Sequence, residues 1–156
     1  MSGSSRDAFV ARYGAVAEHS PWVAEDAFER YDGDLASAFG LAIAEAPADR
    51  QLALLRSHPD LAGKLALAGE LTDDSAQEQS SAGLDRLSEG ELAEFQRLND
   101  SYRREFGFPF IICAREQTKE SILAAFRERL GNDAEAERST ALAEVVKIVR
   151  LRLAGL

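Results

Sequence analysis

The run Phe106-Gly107-Phe108-Pro109-Phe110-Ile111-Ile112-Cys113-Ala114 is short, apolar, and rich in aromatic and β-branched residues. A proline in its middle cannot donate to a sheet ladder, so the run is a poor central strand. Elsewhere alanine, leucine, glutamate and arginine dominate and β-branched residues seldom cluster, which is the make-up of helices. An isolated extended segment in a helical chain leaves N–H and C=O groups that must find partners. The default reading is a buried connector satisfied by neighbouring side chains and water. The sharper one is an edge that faces a pocket and hydrogen-bonds a planar, amide-rich ligand.

Around that segment the periodicity and the stop signals predict helices over about 5–18, 22–30, 34–45, 48–57, 60–67, 74–82, 88–106, 118–130 and 134–154. Ser88-Glu89-Gly90-Glu91 is a capping box, with serine at the cap and glutamate three residues on. Gly131 and Asn132 stop one helix and Asp133 starts the last, while Gly69 falls in the connection after the short 60–67 helix. No internal repeat, low-complexity tract or linker appears. The expectation is an all-α fold, one domain over 1–156, built as a bundle of eight or nine helices with one short extended segment near 106–114.

Composition removes several classes of function. The chain has 156 residues, enough for one domain with a real core. Eighteen basic against 27 acidic residues give a formal net charge of −9, and no basic run exists. Phosphate and anionic lipid surfaces need clustered lysine and arginine, so nucleic acid and membranes are not expected partners. One cysteine, Cys113, excludes an intrachain disulfide and a cysteine zinc cage. The start MSGSSRDAF has no apolar signal region, no stretch reaches a membrane span, and the end LRLAGL is not a peroxisomal address. A cytoplasmic protein is expected.

Three charged residues stand out. His58, one of two histidines, precedes Pro59. The proline suits a first helical position and pushes its predecessor out of helical geometry. His58 is therefore expected at the N-cap of the 60–67 helix, where the helix dipole would keep the ring neutral or poised near neutrality. A lone histidine there is more often structural. His19, in EHSPW, also lies before a helix start, with no partner evident. Glu78 matches a capping box with Ser75, but Thr72 is an equally good cap and would place Glu78 in the second turn; local grounds favour the cap. On the last helix Leu142, Val145, Val146, Val149 and Leu153 form an apolar stripe, with Arg150 at its edge and Lys147 opposite. Arg152 falls within the stripe, so it must snorkel, pair with a carboxylate or meet an anionic ligand. Structural pairing is the commoner outcome, and Arg138, on the same stripe, competes for the ligand role.

Taken together, several segments resemble the 2-oxo-4-hydroxy-4-carboxy-5-ureidoimidazoline (OHCU) decarboxylase family of urate degradation. They are His58-Pro59-Asp60-Leu61-Ala62-Gly63-Lys64, Ser75 through Gln79 leading to Ala82-Gly83-Leu84, Leu98-Asn99 with Tyr102, and Phe106 through Ile112. Glu144-Val145, Lys147-Ile148 and Leu151-Arg152-Leu153 complete the set. The resemblance spans nearly the whole chain and is weakest over its first fifty residues, and the glutamate follows the histidine by the twenty residues of the family pattern.

The resemblance implies an all-α, cofactor-free homodimer that acts on a small-molecule substrate and yields (S)-allantoin and CO2. It implies His58 as catalytic acid–base, with Glu78 and Arg152 completing the charged set, which reverses the local preference for Glu78 as a cap. It further implies a substrate lined by Pro59, by Ser75, Ala76, Gln77, Glu78 and Gln79, and by the backbone of Phe110, Ile111, Ile112, Cys113 and Ala114. Cys113 has no basic neighbour in sequence and reads as a small buried hydrophobe rather than a nucleophile. Two rivals are a non-catalytic helical module binding a small anion or a partner, and a metalloenzyme. For the second, His58 and Glu78 are too few ligands and no H-E-x-x-H spacing exists.

Overall fold

The computed structural model describes residues 2–156, with side-chain exposure from residue 5 onward. Among the described residues nine α-helices follow one another: α1 Ser2–Tyr13, α2 Trp22–Arg30, α3 Leu35–Ala44, α4 Ala48–Arg56, α5 Lys64–Leu67, α6 Asp73–Ser81, α7 Glu89–Phe106, α8 Lys119–Arg129 and α9 Ala134–Ala154. One 3-10 turn, Ala114–Glu116, precedes α8, and the described residues hold no strand. The all-α expectation is met.

Two helices depart from their expected spans. The first stops at Tyr13 rather than residue 18, because Gly14 closes it with a bond from its N–H to Val10 O at 2.7 Å and the chain then turns. The helix expected over 60–67 shrinks to Lys64–Leu67. Ala62 takes a left-handed φ of 52° and Gly63 is extended, so residues 60–63 cannot continue a helical ladder. The first helix also starts three residues early, at Ser2, and the other boundaries agree within a residue or two. Ser88 and Glu91 form the expected reciprocal box, and Asp133 caps α9 by accepting the Ala136 N–H at 2.8 Å.

The chain divides into two compact units, 1–58 with 145–156, and 59–144. In the first, α1, α2 and α3 pack on one another around Val23, Ala27, Phe39, Ile43, Leu54 and Leu55, all essentially inaccessible. Val145, Val149 and Leu153 of the last helix are also buried, but Leu142 and Val146 of the expected stripe are only half so. The buried face of α9 instead carries Glu137, Glu144 and Arg152.

In the second unit the core is aromatic. Phe110 stacks on Phe126 with centroids 3.8 Å apart, and Tyr102 meets Phe110 edge-on at 5.3 Å. Full burial of each phenylalanine contributes about 1.5–3 kcal/mol. The extended segment is anchored there, and it is shorter than its apolar run. Phe106 still belongs to α7, Gly107 turns the chain with φ 80°, and Ala114 already opens the 3-10 turn.

Candidate active site

His58 is not a helix N-cap. It follows the C-terminus of α4, with its N–H donating to Leu55 O at 3.3 Å and its ring Nδ1 lying 3.0 Å from Leu54 O. The cap prediction fails because residues 60–63 satisfy their polar groups without a helix. Gln79 Oε1 accepts the Ala62 N–H at 2.9 Å, Gln79 Nε2 donates to Asp60 O at 3.3 Å, and Asn99 Nδ2 donates to Leu61 O at 2.8 Å.

The new position fixes the tautomer. A carbonyl oxygen only accepts, so Nδ1 of the neutral ring carries the proton and Nε2 holds the basic lone pair. Burial drives the His58 pKa down from 6.5 to about 4; the Leu54 bond and the Glu18 carboxylate pull it up, while Arg152 and His19 push it down. The neutral ring expected from the sequence is present, but the cause is desolvation rather than a helix N-terminus.

Arg152 and an acid not singled out in the sequence lie in the same unit as His58. Glu18 Oε1 sits 3.0 Å from the Arg152 guanidinium, with both side chains almost wholly buried. The same Arg152 nitrogen donates to Val16 O at 3.0 Å. The Glu18 carbonyl accepts from Ser20 Oγ at 2.9 Å, and the Ser57 hydroxyl, next to His58, lies between the Glu18 carbonyl at 2.7 Å and Leu54 O at 2.6 Å. His19 has a partner after all, its Nε2 lying 3.7 Å from Glu18 Oε2. Arg138 is half-buried on the portion of α9 that belongs to the other unit.

The second unit gathers the remaining candidates. Thr72 caps α6, its Oγ1 accepting the Ser75 N–H at 3.2 Å, so Glu78 is not the capping glutamate and lies in the second turn. Ser75, Glu78 and Gln79 face inward, whereas Ala76 and Gln77 are exposed. These two help line a groove of about 740 Å³ with Ala66, Leu67, Leu84 and Leu92. Pro59 is half-buried. The inward side of α6 lies against the 114–116 turn.

Within the extended segment, Phe110, Ile111, Ile112, Cys113 and Ala114 are all buried. Glu144 Oε1 accepts the Cys113 N–H at 2.9 Å, and Arg129 donates to Ile111 O at 2.7 Å. Arg129 is itself held by Glu137, buried at 2.7 Å, and its guanidinium lies 4.3 Å over the Phe110 ring. Tyr102 and Asn132 donate to the same Glu137 carboxylate at 2.6 and 3.0 Å. Part of the default reading therefore holds, since neighbouring side chains satisfy alternate residues of the connector. Burial, then the carboxylates of Glu116, Glu144 and Glu78, push the Cys113 thiol up to about 11, the opposite of what a nucleophile needs.

Chemically, one unit supplies a neutral imidazole base with a cation whose charge a carboxylate shares. The other, by itself, holds a buried acidic residue and a stretch of main chain hydrogen-bonded by Arg129 and Glu144. Glu18 was missed because nothing in EHSPW shows that residue 18 turns inward. The one local signal is the positive φ of 48° at His19, which a sequence does not display. Among the described residues no group of three or more His, Cys, Asp or Glu could hold a metal ion, and no helix is long and apolar enough to cross a membrane.

The chain is similar to known proteins along most of its length. The profile of the family described as OHCU decarboxylase matches residues 2–154. A 2-oxo-4-hydroxy-4-carboxy-5-ureidoimidazoline decarboxylase from Haloferax volcanii is 44% identical over 153 residues, 95% of this chain and 88% of that protein. One from Amia calva is 43% identical over 157 residues, covering 98% and 90%. A crystal structure of OHCU decarboxylase in the presence of (S)-allantoin superposes with a TM-score of 0.71 at 27% identity, over 90% of this chain and 93% of that one. An (S)-allantoin synthase gives 0.73 at 30% identity, over 96% of this chain and 50% of that one.

Proposed function

Because the chain belongs to the OHCU decarboxylase family, we propose that it is a carboxy-lyase of urate degradation that converts the carboxylated ureidoimidazoline to (S)-allantoin and CO2. The observation that carries the residue assignment is the buried His58, whose Nδ1 is held by Leu54 O so that Nε2 is the ring's basic nitrogen.

The reaction makes modest demands. The carbon that loses CO2 lies beside a ring imine, so the electron pair of the breaking C–C bond has a sink within the substrate. The protein has to hold the carboxylate out of the ring plane, accept the 4-hydroxyl proton and return a proton to one face of the neighbouring carbon. His58 Nε2 takes the hydroxyl proton. Its low basicity suits a base that is called on when substrate arrives, because an anion brought beside a buried imidazole favours the imidazolium. Arg152 meets the substrate's negative charge, and Glu78 grips the ureido N–H groups.

The 110–114 main chain binds the ring. In an extended chain the polar groups of alternate residues face opposite edges. With Ile111 O and Cys113 N–H engaged by Arg129 and Glu144, Ile112 presents its N–H and C=O on the other edge, matched to a flat HN–C=O group. Pro59 and the inward residues Ser75 and Gln79 complete the lining. A homodimer and a cytoplasmic location belong to the same proposal; sedimentation of the purified chain tests the first.

The decisive experiment generates substrate in situ from urate with urate oxidase and hydroxyisourate hydrolase and follows (S)-allantoin by circular dichroism. Addition of the protein accelerates appearance of the chiral product. A folded His58→Ala variant loses about 10²–10⁴-fold of that rate, the usual worth of a general acid–base. No acceleration over spontaneous decay returns the chain to a binding role.

A further inference from the structure

We propose that Glu18 is a positioning residue that tempers Arg152, sharing the guanidinium charge so that the substrate carboxylate is held loosely enough to leave as CO2. The inference rests on the reading above, in which Arg152 meets the substrate's negative charge, and places that charge on the reacting carboxylate.

Decarboxylation begins with the negative charge on a carboxylate and ends with it in the ring, while the departing CO2 is neutral. As the C–C bond breaks, its electron pair moves into the ring and imine. A cation committed to the carboxylate stabilises the starting state more than the transition state, and so opposes the step. In a water-poor interior that grip would be strong. A buried arginine set against a reacting carboxylate therefore needs its charge shared.

The structure supplies the sharing group. Glu18 and Arg152 are 3.0 Å apart and almost wholly buried. The acid is held in place from several sides. Its main-chain carbonyl takes a hydrogen bond from Ser20 and lies 2.7 Å from the Ser57 hydroxyl, which Leu54 O shares. His19, next in sequence, adopts φ 48°, an uncommon conformation for a residue other than glycine and one that persists only where its surroundings enforce it. His19 lies 3.7 Å from the same carboxylate, with a mostly exposed side chain.

The test is the split between kcat and KM in Glu18→Gln, which keeps the shape and removes the charge. Release of Arg152 from its carboxylate lowers kcat about tenfold or more and lowers KM as well, the signature of a tighter starting state. A purely structural partner gives a raised or unchanged KM and a lowered melting temperature. A substrate-free arm uses imidazole-4-carboxylate, a flat ring carboxylate that does not decarboxylate, titrated calorimetrically. Its affinity rises about fivefold or more in Glu18→Gln, and the gain is lost when Arg152→Gln is added.

If Glu18→Gln fails to fold, Glu18→Asp, which keeps the charge but shortens the reach, is read the same way and moves in the same direction by less. A raised or unchanged KM, or a probe affinity that does not increase, overturns the inference while leaving the decarboxylase reading intact. Tighter probe binding in a protein without turnover removes the reaction but upholds Glu18 as the group that restrains Arg152.

Discussion

His58 illustrates how a residue can be identified from sequence for a reason that the structure then replaces. Its type and its place before Pro59 were legible; its burial was not, because that depends on residues far along the chain. The consequence is a pH dependence of stability. The ring's pKa is 6.5 in an unfolded chain and about 4 in the fold, so the fold favours the neutral form. The stabilisation is complete above pH 6.5 and is lost as pH falls from there toward 4, by up to about 1.4 kcal/mol per pH unit. His58→Gln retains a donor for Leu54 and cannot be protonated. The difference in urea-unfolding free energy between the two proteins is expected to be constant above pH 7 and to shift against the wild type between pH 6.5 and 4. A difference that stays flat through that window would show that His58 titrates normally.

The elements that could be read were those with local punctuation: the Ser88–Glu91 box, the Asp133 cap, and the stop after Arg129. What could not be read was segment 60–63, where the pattern suggested a helix and the structure has a turn with Ala62 in a left-handed conformation. Alanine gives no hint of that, since the conformation is imposed by Gln79 and Asn99 from outside the segment. The buried face of α9 was likewise misjudged by part of a turn, because three of its inward positions are charged and an apolar stripe points slightly away from them. The structure gives Gln79 a definite job, tying down the main chain that follows His58-Pro59. Gln79→Met preserves volume but orphans the Ala62 N–H and the Asp60 C=O. Buried polar groups left unpaired cost about 1–3 kcal/mol, so the urea midpoint should fall by that equivalent with an unchanged slope. An unaltered midpoint would mean that the turn holds itself.

At the scale of the molecule, a single domain over 1–156 is the expectation from sequence, and within the chain two compact units can be distinguished. Its connectivity argues that they unfold together. The first unit is closed by residues 145–156, and these continue without a break from residues 134–144 of the second, because α9 runs unbroken over Ala134–Ala154. Helices propagate cooperatively and nucleate at a cost, so melting one half of α9 removes the support on which the other half rests. The chain carries a reporter in each unit. Trp22, its one tryptophan, lies in the first, and Cys113, its one cysteine, is buried in the second. In a urea titration, tryptophan fluorescence and the reactivity of the thiol toward a disulfide reagent should trace the same transition with the same midpoint, the mark of two-state behaviour. Glu137→Ala sharpens the test. It strips Arg129 of its counter-charge and takes the acceptor from Tyr102 and Asn132, all within the second unit. Breaking a buried pair this way costs about 3–5 kcal/mol. If the chain unfolds as one, both reporters shift to lower urea together. If Cys113 is exposed while Trp22 keeps its native midpoint, the units unfold independently and the single-domain expectation falls.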